Sequence, residues 1–456
     1  MIKIPSALIV LLFISEILQI FQIFAIAGYG FALVDLIILL IFTSAFYQFV
    51  FQKKKFALPD KKVFWSIAGL LFASIFSLIG LLSWGAGSDA IIQYFKTFAH
   101  FTFVVSIAFV ALSTDISIES LYSAIKSLLI ISIFVNIYAI YQLFARMFGL
   151  PGGYLEITNV GFLNRDYGTE VGEMKQIVLT FENFYRATSI YSEPSSLALF
   201  NVWIILFVLI PSFAKTKKFI QNEKWNIFIG ILAIITLFLT FSMTGLAMIS
   251  AIVIFLIIVA KIQIKKYLIP VLMGAIVLTA TDFILKDFTK VSILELFASR
   301  IEGIFTQNKG GGISGESAPQ RIKTMKNGWM LFTKSPIFGI GSGNTYHFPG
   351  SQARFADSSF FHVLSEMGMI GITFFFLMFL LAFQIGKQMW QMIEKMKIRN
   401  PKLATLQAVS YPLIILIIFQ AMILANLIGI ASFWIYFSII LITYRNTVKE
   451  LESDTL

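Results

Sequence analysis

Twelve apolar stretches, most close to twenty residues long and parted by short polar turns, constrain this chain more than anything else in it. They run over 5–25, 31–50, 63–83, 91–112, 119–148, 189–210, 225–241, 243–260, 267–284, 358–383, 406–425 and 427–444. In hydrocarbon each backbone N–H and C=O must be satisfied within the spanning structure, so runs of this length are expected to cross as helices. The chain therefore reads as an all-α polytopic membrane protein of about twelve transmembrane helices. Hydrophobic residues make up 58% of it and charged residues 13%, which excludes an ordinary soluble enzyme. The opening MIKIPSALIVLLF imitates a signal peptide, but no small-residue cleavage site follows, and it reads as the first span, retained. With no cysteine, a disulfide framework and a thiolate metal site are excluded.

Lysines in the short turns set the orientation. Lys53, Lys54 and Lys55, then Lys215, Lys217 and Lys218, then Lys261, Lys265 and Lys266, then Lys387, Lys395, Lys397, Arg399 and Lys402 all fall on alternate turns. Lys3 and Arg445 share that side, so both termini are expected in the cytoplasm. The turn from Ser113 to Ile118 lies on the same side without a cation, and there the topology has least support. The net charge of +11 thus orients loops and gives no reason to expect nucleic acid.

This orientation divides the chain into spans 1–5 over 1–148, a first extracytoplasmic loop over 149–188, spans 6–9 over 189–284, a large extracytoplasmic loop over 285–357 between spans 9 and 10, and spans 10–12 with a cytoplasmic tail over 358–456. Loops of such length carry function or are disordered. In the first, QIVLTFENFYR alternates enough to suggest an extended or hairpin piece. In the second, Val291, Leu294, Phe297, Ile301 and Ile304 recur at helical spacing, as on a helix lying at the membrane surface, and NKGGGISGES follows as a hinge. Ser317 and Pro319 then mark a helix start near Arg321, with Ile322, Met325, Trp329 and Phe332 on one face and Ser335-Pro336 as the stop.

The residues able to carry chemistry gather on the extracytoplasmic side. Arg321, placed in the first turn of the loop helix, is either a two-pronged anchor for a phosphate or a solvated arginine. Gly339 to Gly343, centred on Gly341, is either a backbone nest for phosphate oxygens or a tight turn that packs the loop down. Arg186 and Glu193 stand at the mouth of a span, as an ion pair or in contact with substrate. Asp357 and His362 stand where the large loop re-enters the membrane; either is a candidate general base, and Arg354 lies just before them. Lys96 and His100, four apart near the outer end of the fourth span, share a face. No Asp-x-Asp pair, His-x-x-His or acidic cluster suggests a divalent metal, and no metal or cofactor is expected. An extracytoplasmic transferase of this kind needs a donor delivered in the membrane, and a polyprenyl diphosphate glycan fits, because cations can stabilise its leaving group.

The run from Arg321 through Trp329, Phe332 and Ser335-Pro336-Ile337-Phe338-Gly339-Ile340-Gly341, followed by a polar segment and Leu364-Ser365-Glu366-Met367-Gly368-Met369-Ile370-Gly371, resembles the signature of the O-antigen polymerase and ligase superfamily. Arg186 to Ser195 and LTFSMTG at Leu239 to Gly245 agree with two further stretches of that family. The resemblance implies a metal-independent membrane glycosyltransferase in a bacterial cytoplasmic membrane, in which Arg186 and Arg321 hold the donor diphosphate. Its implied partners are a polyprenyl-diphosphate-linked oligosaccharide and membrane lipids, with a chain-length regulator as a candidate protein partner. Two positions depart from the pattern. Met243 stands where many relatives have arginine, with Lys96 as the candidate replacement. Asp357-Ser358 stands where ligases carry His-Asn, which favours a repeat-unit polymerase with Asp357 as base over a ligase moving finished glycan to lipid A core or protein. A transporter of lipid-linked sugars is the competing class; it predicts inverted repeats, and none is visible.

Overall fold

The computed structural model describes residues 1–26, 29–57, 60–159, 176, 180–181, 184–259, isolated positions between 279 and 298, 317–351, 358–424 and 427–453. Among them are thirteen α-helices: α1 (Ser6–Ser15), α2 (Leu33–Val50), α3 (Lys61–Ser83), α4 (Ser88–Ser113), α5 (Ile118–Phe148), α6 (Pro194–Phe213), α7 (Glu223–Leu239), α8 (Met243–Ile258), α9 (Ser317–Lys334), α10 (Ser359–Gln391), α11 (Ile393–Arg399), α12 (Pro401–Ile423) and α13 (Ala431–Glu452). Seven described helices are long and apolar enough to cross a membrane, namely α2 to α6, α10 and α12. Helices cover the positions of eleven of the twelve expected spans; the ninth, 267–284, lies almost wholly outside the described residues, as do the amphipathic segment from Val291 to Ile304 and the glycine-rich hinge.

Short polar residues set the helix starts. Asp60 accepts from the Lys62 and Val63 amides, Asn222 from Lys224 and Trp225, Ser242 from Gly245 and Asn400 from Leu403, so each absorbs donors that a helix start leaves open. Gly149, at φ 65°, closes α5 in the left-handed conformation. Helices α6, α12 and α13 are buried over most of their length, with Trp434 fully enclosed and its indole N–H on the Ile428 carbonyl at 2.7 Å. Phe46, Phe134 and Ile258, each more than 60% exposed, face outward, as apolar residues do when the surrounding medium is lipid.

The lysine-bearing turns at 53–55 and 215–218 meet the chain termini and the start of α12 at one end, while Lys261, Lys265 and Lys266 lie outside the described residues. Ile2 donates to the Lys55 carbonyl, Ile4 to Asp115 and Asp115 back to Ile2; Lys449, near the end of α13, pairs with the Asp115 carboxylate. Tyr122 donates to the Lys218 carbonyl, and Thr405 to that of Lys217. The cation-free turn 113–118 is thus packed among cations brought by the two termini. Helix α5, with 31 residues, carries the chain about 46 Å away from this end.

One local expectation changes and another is met. The first apolar stretch is helical only from Ser6 to Leu18; beyond it Gln22–Ile26 (β1) pairs antiparallel with Tyr29–Ala32 (β2), because Ile, Phe and Tyr there favour extended backbone. A second, two-residue hairpin joins Thr180–Phe181 (β3) to Phe184–Tyr185 (β4), inside the stretch whose alternation suggested one. Along the apolar face of α9, Ile322 and Trp329 are 50% and 54% exposed while Met325 and Phe332 are half-buried, and Thr324, Asn327, Gly328 and Leu331 are buried. Lys323, Lys326 and Lys334 are exposed beside Ile322 and Trp329, and such a mixture of cations and apolar side chains suits a helix lying at a membrane surface.

Candidate active site

Arg186 and Arg321 come from segments far apart in sequence and reach the two ends of one turn. This is the break between α7 and α8, Thr240 to Thr244, in which Phe241 adopts φ 49° and Ser242 caps the next helix. Arg186 is 7% exposed; its Nε donates to the Thr240 carbonyl at 2.8 Å, and the neighbouring Ala187 amide donates to Leu239 at 3.0 Å. From α9, the Nη2 of Arg321 lies 3.4 Å from the Thr244 hydroxyl and its Nη1 3.3 Å from the Ile423 carbonyl at the end of α12. Four residue steps separate Thr240 from Thr244, so the two anchor points are at most about 14 Å apart along the backbone. Arg321 is half-buried, with both of its bonds long.

Beside Ile423, the Leu424 carbonyl accepts from Ser359 at 2.7 Å, which brings the start of α10 to the same rim as Arg321. One turn further along α10, His362 lies with Nε2 3.3 Å from Glu366 Oε2. Glu366, 2% exposed, also accepts from the Gly343 amide at 2.6 Å and from the Thr345 hydroxyl at 2.8 Å. Two residues on, Gly368 breaks α10 at φ 63°, ψ −158°. A Cβ at Gly368 would stand 2.3 Å from the Ile337 carbonyl, so the break exists to seat the loop that follows α9.

That loop answers the question left open over Gly341. The Ile340, Gly341, Ser342 and Gly343 amides donate to Ser365 O, Glu366 O, Ser77 Oγ and Glu366 Oε2. Trp84 donates to the Ile340 carbonyl at 3.0 Å, and a Cβ on Gly80 of α3 would overlap the Gly339 carbonyl at 1.7 Å. With its amides already taken by protein acceptors, the loop is a clasp between α3 and the broken α10. Gly341 is corrected from anion contact to packing residue.

The other expected site residues have their own partners or positions. Glu193 accepts from the Ser195 hydroxyl at 2.5 Å, at the start of α6. His100 lies 2.9 Å from the Gly429 carbonyl, and Lys96 is exposed on α4. Asp357 and Arg354 lie outside the described residues, immediately before Ser358. Among the described residues no three His, Asp or Glu side chains gather.

Sequence reasoning missed the most heavily bonded cation. Arg146, 6% exposed near the end of α5, donates to Gly153 O at 2.5 Å, Arg186 O at 2.6 Å, Thr188 Oγ1 at 2.6 Å and Gln176 Oε1 at 3.0 Å, with the Tyr154 ring at 4.8 Å. Gln176 continues the net to the Ser189 and Tyr191 carbonyls, both at 2.6 Å. The backbone that presents Arg186 is therefore held from beneath by a second arginine. Nothing local marks Arg146, because a lone arginine near a span end ordinarily snorkels to water. Glu366 sits within a recognised run, yet its role depends on contacts from Gly343 and Thr345 that spacing does not reveal.

Residues 228–376 match the family described as O-antigen ligase (Wzy_C). The matched region runs from within α7 to within α10, and so contains the Thr240–Thr244 turn, Arg321, the glycine clasp, His362 and Glu366. Comparison with curated proteins returns no match.

Proposed function

With residues 228–376 as its O-antigen ligase domain, this chain belongs to the O-antigen polymerase and ligase superfamily, and we propose that within it the protein acts as a polysaccharide repeat-unit polymerase of a bacterial cytoplasmic membrane. It transfers a glycan from one polyprenyl diphosphate to a sugar hydroxyl of another lipid-linked unit. The observation that carries this reading is the convergence of Arg186 and Arg321 on one five-residue turn, Thr240 to Thr244.

The chemistry asks little else of the protein. The acceptor oxygen attacks the anomeric carbon, the bond from that carbon to the phosphate oxygen breaks, and the polyprenyl diphosphate leaves with the electron pair. Two guanidinium groups, from Arg186 and Arg321, offset the charge that grows on the departing oxygen, where fixed cations act most strongly in a water-poor site. Arg354 assists from the re-entry segment, and the configuration at the sugar carbon inverts. Asp357, one residue before the N-terminal turn of α10, takes the acceptor proton. The site lies at the end away from the lysine-bearing turns, which on the positive-inside rule is extracytoplasmic, with both termini in the cytoplasm. A chain-length regulator is the protein partner such a polymerase would use.

A ligase reading has in its favour the description of the matching family itself. The two differ in what accumulates. Without a polymerase, cells retain single repeats; without a ligase, long polymer stays on the carrier lipid. Arg321→Ala and Asp357→Asn, produced at normal levels in cells lacking the native copy, are expected to leave single repeats. Full-length polymer from both variants would reject the assignment, and long carrier-bound polymer would select the ligase.

A further inference from the structure

Three residues at the head of α10 fall at intervals of four: Ser358, His362 and Glu366. They share one helical stripe, and all three are buried, with exposures of 1%, 6% and 2%. The innermost is fully engaged, as Glu366 meets Gly343, Thr345 and His362. The outer two are not. Among the described residues, Ser358 Oγ and His362 Nδ1 are buried without a hydrogen-bond partner.

Such atoms are rare in native proteins and costly, because desolvation is not repaid by a bond. Ser358 makes the case sharper. It is the N-cap of α10, where a serine hydroxyl normally accepts a backbone N–H of the first turn, yet it makes no such bond. The hydroxyl has forgone the partner that its position offers. His362 is oriented by Glu366: a carboxylate that already accepts from an amide and a hydroxyl faces the ring as an acceptor, so the hydrogen sits on Nε2. With that hydrogen on Nε2, Nδ1 presents a lone pair, which requires a donor. Phosphate oxygens do not supply one, whereas a sugar hydroxyl does. The place also fits, since Ser359 and Arg321 bind the consecutive carbonyls of Leu424 and Ile423.

We propose that Ser358 and His362, with Glu366 as the positioning residue, form the acceptor-sugar subsite, in which Ser358 Oγ and His362 Nδ1 hydrogen-bond to ring hydroxyls next to the one that reacts. This rests on the transferase reading above and assigns its second substrate. The arginines hold the donor diphosphate, and the polar stripe of α10 holds the acceptor ring.

The test uses the full chain in vesicles of phosphatidylethanolamine and phosphatidylglycerol. The probe is the lipid-linked single-repeat fraction extracted from cells lacking this protein. For each variant the half-saturating concentration of that fraction and the inhibition by inorganic pyrophosphate are read. Asparagine keeps a polar atom near the place of Nδ1, and glutamine near that of Nε2. His362→Gln is therefore expected to raise the half-saturating concentration by about tenfold, the loss of one buried hydrogen bond, and His362→Asn to raise it by less. Ser358→Ala is expected to raise it similarly without lowering the Tm, because its hydroxyl makes no bond among the described residues. Glu366→Gln is expected to raise half-saturation with kcat less affected. Pyrophosphate inhibition stays unchanged in all four. A wild-type half-saturation for Ser358→Ala overturns the proposal, as does a His362→Gln variant that performs as well as or better than His362→Asn. Arg321→Ala, run alongside, reports on the donor site alone: unchanged pyrophosphate inhibition there counts against the diphosphate reading and leaves the acceptor result to stand or fall separately.

Discussion

Arg146 and Arg321 both belong to the half of the molecule that carries the candidate site, and they are opposites. Arg146 is buried and spends its guanidinium on four protein acceptors between 2.5 and 3.0 Å. Arg321 is half-buried and reaches two acceptors at 3.3 and 3.4 Å. A guanidinium has five N–H donors in a fixed fork. One that is tightly engaged by carbonyls holds a fold together; one held loosely at a rim retains capacity for a ligand. The same contrast recurs along α10, where Glu366 is saturated and His362 and Ser358 are not. The inner members of this region build the frame, and the outer members keep bonding capacity in reserve.

The contrast is most exposed to test at Arg146. Arg146→Ala leaves the Gly153, Arg186, Thr188 and Gln176 acceptors without their donor in a buried place, and is expected to cost about 3 kcal/mol or more. In purified protein this lowers the Tm by about 5 °C, allowing for the length of the chain. Arg146→Lys should recover only part of the loss, since an ammonium is a compact donor with a different reach. Arg321→Ala, by comparison, should leave the Tm within about 1 °C, as expected for a half-exposed side chain with long bonds. Equal thermal losses for the two alanine variants would erase the distinction.

The smallest effect lies at the other end of the molecule. Burial pushes the Asp115 carboxyl up, but the hydrogen bond and charge of Lys449, with the charges of Arg445 and Lys3, outweigh it and hold the group below its ordinary value. A carboxyl depressed on folding stabilises the protein above its unfolded pKa of about 4, and that contribution disappears as the pH falls through the lower folded value. Asp115→Asn should therefore lower the Tm by about 1–2 °C at neutral pH, a difference that closes as the pH falls through the lowered folded value, as thermal unfolding across pH would record.

What the sequence disclosed was what local chemistry decides. Spans such as α3 and α5 were visible because about twenty apolar residues in lipid have essentially one backbone solution. The stop at Ser335-Pro336 was visible because proline restricts the residue before it. Spacing groups Ile322 and Trp329 on one face of α9, but periodicity identifies a face without saying which medium it meets, and both are exposed. The β1–β2 hairpin was concealed because its residues are as apolar as a span. Arg186 and Arg321 stood out as cations in an apolar chain, yet their convergence on Thr240–Thr244 depends on tertiary structure. Arg146 and the idle hydroxyl of Ser358 gave no local sign, because a residue acquires or forgoes partners only once the helices have packed.

The central claim is that Arg321 binds a diphosphate group, and its most direct measurement is inhibition of chain elongation by inorganic pyrophosphate in vesicle-embedded protein, wild type against Arg321→Ala. The account predicts an inhibition constant raised by at least about tenfold in the variant, as befits the loss of a charge-assisted bond, with the Tm unchanged. The same inhibition constant in both proteins would contradict it.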